Sequence, residues 1–400
     1  MGVFVKDAFK KTCLLILVFS FCASIFSCAF FETAPVSSLP GSFPGSTVET
    51  EGETILPTDP LQPDTIVPTG PLTTVPTEPT EPTEPFTEPQ PTLPNTENVY
   101  INPLSGLPIS EELYGKRPIA VQINNLKKAL PQVGIKEADI FYECPVEGGL
   151  TRLLAIYSDY KDIPLIGSVR SARECFVTIS LIYNSIYVHA GGSGKAYDMI
   201  SELNVDNLDG VNMYLPTVFW RDENRVQVNG SVHALVTSGS GILDGIKKRK
   251  IQEDGEISAA FNFSDERIVR NEKNCKKITV PYYSVISEYL YNEADDKYYR
   301  SEYSMPQMDG ETQLSFDNVL ILFTKQKVYD SEGRLDIDLQ SGGSAYYVSG
   351  GAIEEITWQR NKNENFRFYN AENEELKVNT GKTIISVMPD YIKKDIIIEK

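Results

Sequence analysis

Between residues 143 and 233 the chain carries a small set of side chains with chemical potential: Glu143, Glu147, Arg170, Arg173, His189, Ser193 and His233. Two carboxylates can supply the acid and base of glycosidic cleavage, and a histidine beside a serine can activate a hydroxyl. Glu147 lies at a turn and Glu143 near a strand end, so spacing alone does not bring the two together. Ser193 sits in Gly191-Gly192-Ser193-Gly194-Lys195, which is not the G-x-S-x-G elbow of serine hydrolases. His189 and His233 are the chain's two histidines and lack the helical spacing of a zinc motif, so neither metal nor other cofactor is expected.

The same glycine segment offers backbone N–H groups, a helix start and Lys195, a combination suited to an anion. It is no P-loop: His189 stands where the first glycine belongs, and Ala196 replaces the magnesium-holding Ser/Thr. The competing reading is a glycine turn that lets strand and helix pack closely. Arg170 and Arg173 pair equally well with Glu147 or Glu174 in a purely structural role.

The elements that must position these groups follow from pattern. Ile119 to Ile123 alternates as a strand; Ala138 to Cys144 and Leu150 to Tyr157 form a hairpin through Glu147-Gly148-Gly149. Pro164 to Val169 is a further strand. Ser171 and Glu174 have capping-box spacing, predicting a helix that starts at Ser171 and buries Cys175, Ile179 and Ile182. Ser185 to His189 is a strand, and Lys195 to Leu203 a helix. Arg170 and His189 thus stand at strand ends, the usual place of ligand contacts in open sheets. Beyond a charged connector, 246–275, short strands recur at 278–282, 288–291, 297–301, 319–323, 345–348, 353–358, 366–369 and 383–388. The expected fold class is an α+β N-terminal domain, 99–245, with a mixed sheet and helices, followed by a mostly β domain, 276–400. Tyr298, Tyr299, Tyr346, Tyr347 and Trp358 are candidates for a sugar platform, with half-buried strand residues as the competing reading.

What precedes residue 99 is of another kind. Lys6, Lys10 and Lys11 lead into an apolar run from Thr12 to Phe26, shorter than the ~20 residues of a spanning helix, which reads as an export signal over 1–27. Ile25-Phe26-Ser27-Cys28 resembles a bacterial lipobox, although Phe26 is bulky for its place; Cys28 is then the lipidated residue. An ordinary cleaved signal or an uncleaved anchor is the alternative. Residues 28–98 form a Pro/Thr/Glu-rich tether: from 31 to 98 they hold 15 of the 25 prolines, eleven acidic residues and no lysine or arginine. At ~3.1 Å per residue this stretch reaches at most about 210 Å. Of the formal charge of −18, only −9 remains for 99–400, so an anion-binding cleft there is compatible with the sign of the whole. The acidic balance argues against nucleic acid as a partner. Cys144, Cys175 and Cys275 are odd in number and lack CxxC spacing, so no disulfide framework is expected.

The strings PLSGLP (103–108), RPIAVQINN (117–125), ADIFYECPVEGGLTRLLAIY (138–157), GSVRSAR (167–173), YVHAGGSGKA (187–196), FWR (219–221) and VHAL (232–235) resemble, in order, the N-terminal domain of the YerB-like lipoprotein family. The family's second domain is similar through YLYNEADDKYYR (289–300), NVLILF (318–323), ITWQR (356–360) and NTGKTIISVMP (379–389). The resemblance implies a bacterial surface lipoprotein and supplies no activity. Gly192 and Arg221 join the candidates from these strings. The chain departs from the family at Ser168, where proline is usual, and at Val232-His233-Ala234, where Pro-His-Asn is usual; the lost asparagine amide weakens a ligand role for that segment.

Three functions follow as expectations. The first is a lipid-anchored protein on the outer side of the membrane that binds a polar or anionic envelope ligand, such as a cell-wall polymer, between the Arg170 turn and the glycine loop. The second is a wall hydrolase or transferase using Glu143 or Glu147 with His189. The third is a non-catalytic scaffold for another envelope protein.

Overall fold

The computed structural model describes residues 99–213, 215–269, 274–362 and 364–400. The predicted signal, Cys28 and the tether lie outside them. An α+β first region is followed by a mostly β second one, as expected. The first region holds β1 (Ile119–Asn124), β2 (Ile140–Pro145), β3 (Thr151–Tyr157), β4 (Ile186–His189) and β5 (Asn207–Asp209). Its helices are α1 (Glu174–Ile182), α2 (Gly194–Glu202), α3 (Glu223–Asn229) and α4 (Gly239–Arg249). The second region contributes β6 (Lys277–Pro281), β7 (Ile286–Asn292), β8 (Lys297–Glu302), β9 (Asn318–Thr324), β10 (Gly343–Ser349), β11 (Ala352–Gln359), β12 (Arg367–Tyr369) and β13 (Thr383–Pro389).

These strands do not form two sheets, one per region. A single ten-stranded sheet runs β12-β11-β10-β9-β13-β2-β3-β1-β4-β5, and the described residues form one compact unit. The seam is β13 against β2, parallel, with Thr383 opposite Ile140 and Ser386 opposite Glu143. The divide read from sequence at 246–275 therefore crosses one continuous sheet, and α4 runs past it to Arg249.

Strands β1, β2, β3, β9 and β13 are buried along their whole length, because both faces are covered. On one face, Phe141, Val319, Ile321 and Ile384 pack with Ile278, Val280, Tyr289, Tyr298 and Phe316 of a second sheet built on β6, β7 and β8. On the other face Ile140, Tyr142, Cys144 and Ile385 meet Cys175, Phe176 and Ile179 of α1. Alternation along β2 thus divides its residues between two cores, the pattern of a strand buried on both faces.

Helix α1 starts at Glu174, not Ser171. Arg173 is its N-cap, with no side-chain cap bond. The capping box fails because the Glu174 carboxylate is taken elsewhere, accepting from Ser193 Oγ at 2.9 Å and Tyr329 Oη at 2.7 Å. Helix α2 is capped conventionally: Ser193 Oγ accepts from Ala196 N at 3.1 Å. The tyrosine platform does not form. Tyr298, Tyr347 and Trp358 are fully buried, Tyr299 and Tyr346 are half-buried, and the Trp358 indole donates to Phe323 O at 3.2 Å. Cys144, Cys175 and Cys275 are buried free thiols.

Candidate functional site

The Glu147-Gly148-Gly149 turn and the Arg170–Arg173 segment face each other. The hairpin sends Arg152 along β3 toward that segment, where its Nη1 donates to Ser171 O at 2.6 Å. Glu147 then accepts from Arg152 Nη2 at 3.0 Å on Oε1 and from Arg173 Nε at 2.9 Å on Oε2, and Arg173 Nη2 also bonds Oε1. Arg170 completes the group. Its backbone N donates to Gln122 O at 2.8 Å, fixing the segment against β1. Its side chain is half-buried and has no hydrogen bond or ion pair among the described residues. A cleft of about 90 Å³ is lined by Asn124, Val146, Glu147, Thr151, Arg152 and Arg170, among others. His233 stands behind the lining residue Asn124, its Nδ1 3.0 Å from Asn124 Nδ2. Because the amide nitrogen can only donate, His233 is held as the tautomer with its proton on Nε2.

Two guanidinium groups therefore share one carboxylate with a third, Arg170, beside them, and the local field is positive. Burial alone would raise the Glu147 carboxyl, but the Arg173 hydrogen bond and the charges of Arg152 and Arg173 hold it at about 2. Burial pushes Arg152 down to about 10, and the Arg173 charge adds to it. Arg170 is lowered by burial and by Arg173. His233 is lowered by burial, then by Arg170, Lys128 and Arg225, so the ring is neutral at pH 7. Since Glu147 ionises more readily folded than unfolded, its contribution to stability is complete above the unfolded value of 4.5 and fades as pH falls toward about 2. Glu147→Gln is expected to destabilise the protein at pH 7 and to flatten the pH dependence of melting between about 4.5 and 2. Thermal melts across that range check this, and equal slopes in both proteins would refute it.

Of the residues picked from sequence, the structure brings Glu147, Arg170, Arg173 and His233 together and places the others elsewhere. Glu143 is fully buried beneath the second sheet, accepting from Thr151 Oγ1 at 2.9 Å, Ser287 Oγ at 2.9 Å and Arg300 Nη2 at 3.0 Å. His189 is also fully buried. Its Nδ1 lies 2.9 Å from Gly191 O and its Nε2 3.3 Å from Asn207 Oδ1, and it stacks on Tyr187. Acid–base work by Glu143 or Glu147 with His189 has no geometric basis here: two of these groups are closed off, and the third is held ionised by two arginines.

The glycine loop is a packing turn. Gly191 N donates to Asp209 Oδ1, Ala172 N to Gly191 O, and Ser193 N to Ala172 O. It is therefore bonded directly to the Arg170 turn, Ala190 N also donating to Arg170 O at 2.9 Å. Gly191 has φ +77°, a left-handed backbone that favours glycine, and a Cβ on Gly192 would lie 3.3 Å from the Tyr197 ring, a close approach. Lys195 Nζ sits 3.8 Å over the Tyr329 ring, and Arg221 Nε donates to Ser231 Oγ at 3.0 Å. Sequence reading missed Asn124 and Arg152. The signal for Arg152 is a lone cation within the apolar string Leu150 to Tyr157; Asn124 carries none.

The model for the N-terminal domain of a protein of unknown function, DUF3048, matches residues 104–252, and its C-terminal counterpart matches 278–385. A Bacillus subtilis protein named "Putative lipoprotein YerB" is 32% identical over 310 residues, covering 74% of this chain and 89% of its own length. The crystal structure of YerB protein from Bacillus subtilis superposes with a TM-score of 0.67 at 29% identity, covering 75% of this chain and 99% of that one. By both domain matches and by this relative, the chain belongs to the YerB-like DUF3048 family.

Proposed function

We propose that this protein is a lipid-anchored lipoprotein, facing outward from the membrane, whose head captures an anionic group of a cell-envelope ligand without chemically altering it. The lipobox-like Cys28, the tether and the lipoprotein name of its Bacillus relative support the location. The observation that carries the binding role is Arg170: a half-buried cation, unpartnered among the described residues, beside two arginines that already share the single carboxylate of Glu147. Desolvating a third cation there costs free energy, and an incoming anion recovers it. Among the described residues no pair of free carboxylates flanks the cleft, so the reading is binding, not hydrolysis.

Sedimentation of the detergent-solubilised full chain with purified wall material tests this. A hydrogen bond to a charged group contributes about 1.5–3 kcal/mol, so Arg170→Gln is expected to weaken binding by about tenfold or more. Its melting temperature should not fall, since the side chain holds no other element and its removal relieves the cost of desolvating a third cation. Equal pelleting of both proteins would refute the assignment.

A further inference from the structure

We infer that the group seated in the cleft is a tetrahedral dianion, a phosphate above all. This rests on the binding reading above and names its ligand class. Arg152, Arg170 and Arg173 carry three positive charges against the one negative charge of Glu147, which leaves two to be balanced. A carboxylate brings one; a phosphate monoester or free phosphate brings about 1.5–2 at neutral pH. The cleft, at about 90 Å³, has room for a compact anion. Guanidinium groups bind phosphate oxygens in pairs, and the unpartnered Arg170 is free to do so. Because His233 Nδ1 faces the Asn124 amide nitrogen, its Nε2–H, which has no partner among the described residues, remains as a further donor.

Occupancy of such a site is linked to a proton on His233. The charges acting on that ring are Arg170, Lys128 and Arg225, all positive, and its hydrogen-bond partner is neutral Asn124. A bound dianion reverses the sign of the nearest field and favours the imidazolium. Protonation at Nδ1 then requires the Asn124 amide to turn its oxygen to the ring, giving up the 3.3 Å bond it accepts from Leu126 N. The complex takes up protons that the free protein does not bind, so affinity rises as pH falls below neutrality.

Sulfate isolates this effect because it remains a dianion across the range. Calorimetric titration of the full chain with sodium sulfate is expected to show affinity about three- to tenfold higher at pH 5.5 than at pH 7.5, the upper figure corresponding to a proton held tenfold more tightly by His233 in the complex. His233→Gln should remove that pH dependence, and Arg170→Gln should weaken sulfate about tenfold or more. Inorganic phosphate at pH 7.5 should bind, and acetate should bind about tenfold more weakly. Absence of sulfate and phosphate binding, acetate binding as tight as sulfate, or a flat profile in the parent protein would each overturn the inference. If wall material still pellets the protein through Arg170 while neither dianion competes, the phosphate assignment fails and the envelope-binding reading stands. If the dianions bind and wall material does not, the reverse holds. Competition arms identify the source of the phosphate: wall material before and after chemical removal of its phosphate, against vesicles of phosphatidic acid.

Discussion

Arg300→Met is expected to lower the melting temperature by about 10 °C, because it takes the only cation out of a closed group of buried charges. Arg300 is fully buried on β8, between Glu143 of β2 at 3.0 Å and Glu302 at 3.0 Å, each also fully buried. The same Nη2 meets Ser287 Oγ of β7 at 3.0 Å, and Nη1 bonds Gln307. Asn125 Nδ2 reaches Thr151 and Glu302, each at 2.8 Å, and Gln132 joins Asn125 to Gln307. Methionine conserves much of the volume but leaves two carboxylates without their cation. Removing one member of a buried ion network costs about 3–5 kcal/mol, and a domain of this size loses about 2–4 °C per kcal/mol. Burial, with Glu143 adding to it, raises the Glu302 carboxyl to about 7 although Arg300 pulls it down. Its folded value exceeds its unfolded one, so this group's contribution favours folding below about pH 4.5 and is lost as pH rises through about 7. The triple change Arg300→Met, Glu143→Gln, Glu302→Gln should therefore recover most of the loss, more at pH 8 than at pH 6. Circular-dichroism melts at both pH values decide it; an Arg300→Met protein melting within about 2 °C of the parent would show that the network contributes little.

This network explains what could and could not be read from the chain. The strand from Ile119, the hairpin through Gly148-Gly149 and eight later strands were legible because each depends on local period and turn chemistry. The pairing of Thr383–Ser386 with Ile140–Glu143 was not: it is a parallel contact between distant segments, and nothing in either string specifies its neighbour. The misreading of Glu143 follows directly. Beside a turn it resembles an exposed acid, and only the second sheet, laid over β2, encloses it. His189 is similar, since its burial depends on the glycine loop folding back to Asp209 and Ala172. Arg170, Arg173, Glu147 and His233 lie in or beside turns, where polar groups gather at the surface, and these were the ones brought together.

The same seam predicts that a chain ending at residue 275 does not fold cooperatively, although it contains the whole N-terminal family match. Such a chain lacks β13, so the backbone of β2 becomes an open edge beside an otherwise buried strand. It also lacks Ile278, Val280, Tyr289, Tyr298 and Phe316, which cover one face of the sheet. Each large apolar side chain contributes about 1.5–3 kcal/mol on full burial. Losing these five partners removes about 7–15 kcal/mol, which matches the whole 5–15 kcal/mol by which a domain is stable. Glu143 would in addition lose Arg300 and Ser287 and face solvent with its core neighbours. The expected result is a broad, non-sigmoidal melt with strong binding of an apolar dye, and recovery of a sharp transition when residues 276–400 are supplied as a separate chain. A sharp, reversible melt of the truncated chain alone would show that the first region folds on its own. The seam between β13 and β2 would then be a docking contact between two finished domains, and the anion cleft, whose Asn124 is bonded to Gln132 within the same polar network, would be expected to persist without the second region.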